Sequence, residues 1–222
     1  MQSIRLLSLA EGVAEDFICG GLGCVGAVEV LRDGRLALGN SEGKIKLWDW
    51  ASGSLVGNIN GHSGKVNTLA LLQNGHLASG SETWDPRIRL WDSSTGNCIA
   101  ILEGHSLAVN TLLTLSDGRL ASGSTDCTIK LWNLASGACQ RTMEGHGGRV
   151  LTMVELPDNR LISGSDDRSI RQWDTAIDNP GSGGLIFMAD AAITALAFIT
   201  KSSLLVAGDA SGKLHWLKMP PR

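Results

Sequence analysis

A chain of 222 residues can bury a sizeable core, and 43% apolar with 18% charged residues is ordinary globular composition, which excludes a disordered chain. A net charge of −3 with no basic cluster argues against nucleic acid as a partner, because phosphate binding draws on grouped Lys and Arg. No apolar run reaches the roughly 18–20 residues needed to span a bilayer, and Met1 to Ala10 lacks the basic leader and apolar stretch of a signal peptide.

In chain order, the first strand-like run is Ile4 to Leu9, and the acidic stretch Glu11 to Asp16 behind it reads as a solvated connection. Gly21-Leu22-Gly23-Cys24-Val25-Gly26 then fits the dinucleotide fingerprint G-x-G-x-x-G. That motif works only where a strand opens into a helix whose N-terminus receives the pyrophosphate. Here it leads into Ala27 to Leu31 and the turn Asp33-Gly34, a strand and a hairpin, so no nucleotide site and no cofactor are expected. The first unit closes at Trp48-Asp49.

The next three units repeat one another closely. Residues 61–92 read GHSGKVNTLALLQNGHLASGSETWDPRIRLWD, residues 104–133 read GHSLAVNTLLTLSDGRLASGSTDCTIKLWN, and residues 145–174 read GHGGRVLTMVELPDNRLISGSDDRSIRQWD. A worn copy spans residues 20–49, and a more worn one passes through Ile193 and Gly208 to Leu217. Within a unit an apolar run (Val109 to Leu115), a turn (Asp117-Gly118), a run of small residues (Leu120 to Ser124), a polar turn (Thr125-Asp126) and a third run (Thr128 to Trp132) alternate. A Ser-Gly or Thr-Gly turn (Ser52-Gly53, Thr95-Gly96, Ser136-Gly137) leads into a fourth strand, where Cys98 and Cys139 are equivalent. No segment keeps a helical period. The fold class is all-β.

The closing positions Trp48, Trp91, Trp132, Trp173 and Leu217 recur about 41–44 residues apart, with Gly-His at the head of the middle units and Trp-Asp at the end of three. In this the chain resembles the WD-repeat family, whose units are four-stranded blades of a β-propeller. The resemblance covers nearly the whole chain. It implies a single domain over residues 1–222 with five blades, in units near 20–60, 61–103, 104–144, 145–187 and 188–217. Only Lys218 to Arg222 come after Leu217, so residues 3–9 are expected to close the ring by supplying the outer strand of the last blade. An open arc filled by another chain would be the alternative.

Ser, His and Asp invite a hydrolase reading, but the set recurs three times at a fixed period: His62, Ser79, Asp85 and Trp91; His105, Ser122, Asp126 and Trp132; His146, Ser163, Asp167 and Trp173. A catalytic centre is built once. The resemblance implies structural tetrads instead, in which buried polar groups satisfy one another. The end units lack them, with Gly21, Leu38 and Glu42 in the first and Ala207, Ser211 and Leu217 in the last, and His215 lies outside any tetrad. No His/Cys cluster has zinc spacing. Five scattered cysteines, Cys19, Cys24, Cys98, Cys127 and Cys139, form no C-x-x-C pair and read as buried thiols in a reducing compartment, the cytoplasm, rather than a disulfide frame.

The family's contact positions on the propeller's top face map onto Lys65, Asn67 and Trp84; Ala108, Asn110 and Thr125; and Arg149, Leu151 and Asp166. In the worn units they map onto the smaller Cys24, Gly26, Ser41, Ala192, Thr194 and Ala210. These positions differ from blade to blade, which favours one asymmetric protein partner over a lectin-like propeller with equivalent pockets for glycans or small molecules. The expected function is a non-enzymatic protein–protein scaffold or recognition subunit within a complex, contacting neither nucleic acid nor membrane. The ending Val206 to Leu217 is similar to bacterial WD-repeat sensor domains of signalling or defence proteins.

Overall fold

A computed structural model describes residues 3–7, 14–18, 24–176 and 183–220, the first two segments by backbone alone. Cys19, part of the Glu11 to Asp16 stretch and most of the loop from Asp178 to Gly184 lie outside the described residues. The described residues contain no α-helix, only strands and one 3-10 turn at Thr200–Ser202.

A hairpin of β1 (Ser3–Leu7) and β2 (Ala14–Ile18) precedes five antiparallel sheets. Blade 1 holds β3 (Val25–Val30), β4 (Leu36–Asn40), β5 (Lys44–Asp49) and β6 (Ser54–Asn60). Blade 2 holds β7 (Val66–Leu71), β8 (Leu77–Ser81), β9 (Ile88–Trp91) and β10 (Cys98–Leu102). Blade 3 holds β11 (Val109–Thr114), β12 (Leu120–Ser124), β13 (Ile129–Trp132) and β14 (Cys139–Met143). Blade 4 holds β15 (Val150–Glu155), β16 (Arg160–Ser165), β17 (Ser169–Asp174) and β18 (Gly184–Met188). Blade 5 has three strands, β19 (Ile193–Ile199), β20 (Leu204–Asp209) and β21 (Leu214–Lys218). In each sheet the strands pair in chain order.

The turn chemistry explains the repetition. The Asp-Gly and Asn-Gly hairpins place Gly34, Gly75 and Gly118 at φ near +86°, where a side chain would strain. In blade 4 Asn159 takes the same conformation at φ 65°, which Asn tolerates better than other side chains. Blades then interlock through the glycine of the second strand. A Cβ built on Gly39, Gly80, Gly123 or Gly164 would lie 2.4–2.6 Å from Val66, Val109, Val150 or Ile193 of the next blade. Only glycine lets those β-branched residues seat. Four apolar clusters fill the spaces between successive sheets, for example Ala37, Ile45 and Leu47 of blade 1 against Val66, Leu77 and Trp91 of blade 2.

The innermost strands pack in succession, β3 on β7, β7 on β11, β11 on β15 and β15 on β19. Among the described residues no comparable packing joins β19 back to β3. The expected closing pairing is also not made: β1 runs from Ser3↔Ile18 to Leu7↔Ala14 against β2, and β21 pairs only with β20. Ala14-Glu15-Asp16-Phe17-Ile18, read from sequence as mostly loop, gives β1 a partner a few residues away, and a local pairing closes a far shorter loop than one across the chain.

Candidate functional site

Each of the three Ser–His–Asp–Trp sets is joined by hydrogen bonds. In blade 3, His105 Nδ1 lies 2.8 Å from Asp126 Oδ2, His105 Nε2 lies 2.7 Å from Ser122 Oγ, and Trp132 Nε1–H donates to Ser122 Oγ at 2.8 Å. Blade 2 repeats this at 2.8, 2.7 and 2.7 Å (His62, Ser79, Asp85, Trp91), and blade 4 at 2.9, 2.6 and 2.7 Å (His146, Ser163, Asp167, Trp173). Burial opposes ionisation of Asp126, yet hydrogen bonds from His105 and Thr128 hold its carboxyl far below the usual carboxylate range. Asp167 is held down in the same way by Ser169, His146 and Gly147. Burial lowers the pKa of His62 and His146, so both rings are neutral at pH 7. With the carboxylate accepting, Nδ1 carries the proton and Nε2 accepts the serine O–H. Both ring nitrogens, the serine hydroxyl and the indole N–H of each set thus have partners.

That arrangement has a triad's connectivity without its access. Ser79, Ser122 and Ser163 are completely buried and already hold two hydrogen bonds each. The aspartates instead fasten the loop ahead of each first strand, accepting from the amides of Ser63, Ser106 and Gly147. Blade 2 departs at one atom. Asp126 and Asp167 use their second oxygen for Thr128 and Ser169, but Asp85 is followed by Pro86-Arg87, and its buried Oδ1 accepts no hydrogen bond.

The end blades fasten the same turn by a different residue. Asn40 Oδ1 accepts the amides of Glu42 and Lys44 at 3.0 and 2.9 Å, and Asp209 Oδ1 accepts those of Ser211 and Lys213 at 2.9 and 3.1 Å. His215, placed outside any tetrad by its sequence position, has a partner after all: its Nε2 lies 2.9 Å from Asp209 Oδ2. In blade 1 the serine position is Leu38, packed dry with Val25, Leu36 and Trp48.

The contact positions expected from the resemblance gather at one end of the blades. The first-strand residue and the second turn pair directly in each blade, Glu82 N to Lys65 O, Thr125 N to Ala108 O and Asp166 N to Arg149 O. Neighbouring blades are stitched there too. Asn67 Nδ2 donates to Val109 O at 3.4 Å and Asn110 Nδ2 to Val150 O at 3.1 Å. Thr125 is bonded to Asn110, and Arg149 is paired with Asp166 at 2.5 Å. Leu151 is half-buried. Lys65 is exposed, and Trp84 stands out at 83% exposure. One exposed apolar residue at this end escaped the sequence reading. Leu107 occupies the position of Gly64 and Gly148 in the adjoining units, and that departure from the repeat was the available signal.

At the opposite end, a cavity between the hairpins of blades 4 and 5 is lined by Asp158, Arg160, Phe198 and Met219 among others. Its Arg160 is already bound by Asp158, Gln172 and the Pro220 carbonyl. Among the described residues there is no cluster of metal-ligating side chains, no disulfide, and no helix long and apolar enough to cross a membrane. The cysteines are not the buried thiols their scatter suggested: Cys24, Cys98 and Cys139 are exposed and Cys127 is half-buried, because the fourth-strand positions of Cys98 and Cys139 lie on the outer edge of their sheets.

The family model described as "WD domain, G-beta repeat" matches residues 53–92, 96–133 and 137–174. Among solved structures, a chain in "Crystal Structure of Mitotic Checkpoint Complex" superposes with a TM-score of 0.81 at 24% identity, over 97% of this chain and 70% of that one. No curated protein matches the chain by sequence.

Proposed function

Because this chain belongs to the WD-repeat family, whose model matches just over half of it, we propose that it is a non-enzymatic protein-binding platform, working in the cytoplasm as a recognition or adaptor subunit of a larger assembly. The observation that carries this reading is Trp84. A tryptophan 83% exposed in the turn between β8 and β9, in the unit 61–92 that runs two residues longer than 104–133 and 145–174, is an apolar anchor with nothing of its own fold to bury it. Tryptophan is enriched among binding hot spots, and a stiff platform lowers the ordering cost of association.

Leu107 extends the apolar surface, and Lys65 supplies an exposed positive charge. Arg149 and Asp166 neutralise each other, so they orient a partner less than two separate charges would. Asn67, Asn110 and Thr125 support the surface by joining blades. The absence of an accessible nucleophile in three buried serine sites favours binding over catalysis. Membership of a protein complex is also what the solved relative's title states of that protein. A role in bacterial signalling or defence rests on the likeness of Val206 to Leu217 to sensor domains.

The test is a binding titration of Trp84→Ala against a partner recovered by co-purification, beside a thermal melt. Affinity should fall by about 2 kcal/mol while stability stays within about 0.5 kcal/mol, since an exposed loop side chain carries little of the core. Unchanged affinity, with partner protection on the opposite end of the blades, would refute the choice of surface.

A further inference from the structure

At the end of the blades opposite Trp84, neighbouring hairpins are joined by the residue that stands just ahead of each Asp-Gly or Asn-Gly turn. Arg32 of blade 1 donates to the Gln73 carbonyl of blade 2. Gln73 in turn donates from Nε2 to the Leu115 and Ser116 carbonyls of blade 3, both at 3.0 Å. Ser116 then binds Glu155 of blade 4, its amide at 2.8 Å and its hydroxyl at 3.0 Å. At the junction of blades 4 and 5 both partners change. The donor position is Pro157, which has neither an N–H nor a side-chain donor. The acceptor position is Phe198, which pairs with Leu205 as Glu155 pairs with Leu161.

Pro157 and Phe198 border the cavity of about 420 Å³ at this junction, a size typical of small-molecule pockets. Met219 adds to the apolar wall, fixed by its amide to the Ser203 carbonyl at 2.9 Å. The polar groups of the lining carry no net charge. Arg160 is 8% exposed, and of its five N–H donors four are used, on Asp158 through Nε and Nη2, on Gln172 through Nη1 and on the Pro220 carbonyl through Nη2. Among the described residues one Nη1 N–H is left over. Arg160 holds the Asp158 carboxyl below the usual carboxylate range, so the two stay ionised and cancel. The hydroxyls of Thr200 and Ser203 also line the cavity and hydrogen-bond no other described residue.

We propose that this cavity binds an uncharged, mostly apolar small molecule of one or two rings that carries a hydrogen-bond acceptor. The rings lie against Pro157, Phe198 and Met219, and displacing water from that apolar wall drives binding. The acceptor takes the spare Arg160 N–H or the hydroxyl of Thr200 or Ser203. A charged ligand is disfavoured, because the Arg160–Asp158 pair leaves it no net counter-charge when it gives up water. The site is built once, since the hairpin ends of blades 1 to 4 are tied by hydrogen bonds. It stands whether or not a protein binds at Trp84.

The test follows isotope-labelled methionine methyl groups by NMR in the 222-residue chain. Acetophenone, benzoate and benzylammonium, probes of similar size and different charge, are titrated in turn, with the Met219 signal assigned by Met219→Leu. Acetophenone should shift the Met219 methyl saturably, with a dissociation constant of about 10 mM or below. Met143 and Met153, packed between blades 3 and 4, should not respond. Benzoate and benzylammonium should bind at least about fivefold more weakly. Two variants fill the space from opposite walls: Pro157→Gln places there the side chain that Gln73 uses, and Thr200→Phe adds a ring. Each should abolish the response to acetophenone, and because Thr200 is exposed, Thr200→Phe keeps the test decisive if Pro157→Gln fails to fold. The proposal is overturned if the Met219 shift does not saturate, if a charged probe binds as tightly as acetophenone, or if a folded variant leaves the response unchanged.

Discussion

Blades 2, 3 and 4 solve the same problem as blades 1 and 5 by different means. In the middle blades the turn between the second and third strands is fastened by an aspartate that also holds a buried histidine, and through it a serine and a tryptophan. In the end blades Asn40 and Asp209 fasten that turn from two residues upstream, and the chain of bonds behind it is cut short to His215 in one and replaced by Leu38 and half-buried Trp48 in the other. The middle blades are also stacked on both faces, whereas each end blade leaves one apolar face exposed. Local repeat chemistry and position in the array thus act together: where the neighbour is missing, the sealed tetrad is missing as well.

The largest expected difference is at the closing tryptophans. Trp132 is fully buried, and Trp132→Ala should cost about 3–5 kcal/mol in chemical denaturation. The same change at partly buried Trp48 should cost less than half of that. Equal losses would mean that blade 1 is packed as tightly as blade 3.

A smaller contrast concerns histidine. His105→Ala strands Ser122 and Asp126, for a loss of about 1–3 kcal/mol. His215→Ala removes one bond from Asp209, which keeps Ser211 and Lys213, so its cost should be the lesser. A larger loss at His215 would show that the end blade depends on its single pair more than the middle blade does on its tetrad.

The pH profile gives the most gradual difference. His62 and His146 have folded pKa values below their ordinary 6.5, so the unfolded chain binds more protons as pH falls. Their contribution is present above about pH 6.5 and is lost below it. Asp85, Asp126 and Asp167, lowered from 3.8, add a second loss under about pH 4. The melting midpoint should therefore be level above neutral pH and decline in these two steps. A midpoint that holds level from pH 8 to 5 would contradict neutral buried histidines.

Much of this was legible in the sequence because it is local. The Gly-His heads, the Asp-Gly and Asn-Gly turns and the closing tryptophans lie within units of about 40 residues, and each occurs often enough for its role to be checked against its copies. What escaped depends on relations between units or on departures from them. Asn40 and Asp209 replace the tetrad aspartate from a different register, so aligning Glu42 and Ser211 with Asp126 hides them. Asn67 and Asn110, expected as free contact residues, face the carbonyls of the next blade once the sheets stack. The pairing of Ser3–Leu7 with Ala14–Ile18 depended on reading an acidic stretch as strand.

Native-state hydrogen exchange tests the division between sealed and open blades most directly. The account predicts that amides of Leu77–Ser81, Leu120–Ser124 and Arg160–Ser165 exchange at least about tenfold more slowly than those of Val25–Val30 and Leu214–Lys218, a gap of about 1.4 kcal/mol in opening free energy. Uniform protection across all five blades, or slower exchange at Leu214–Lys218 than at Leu120–Ser124, would contradict it.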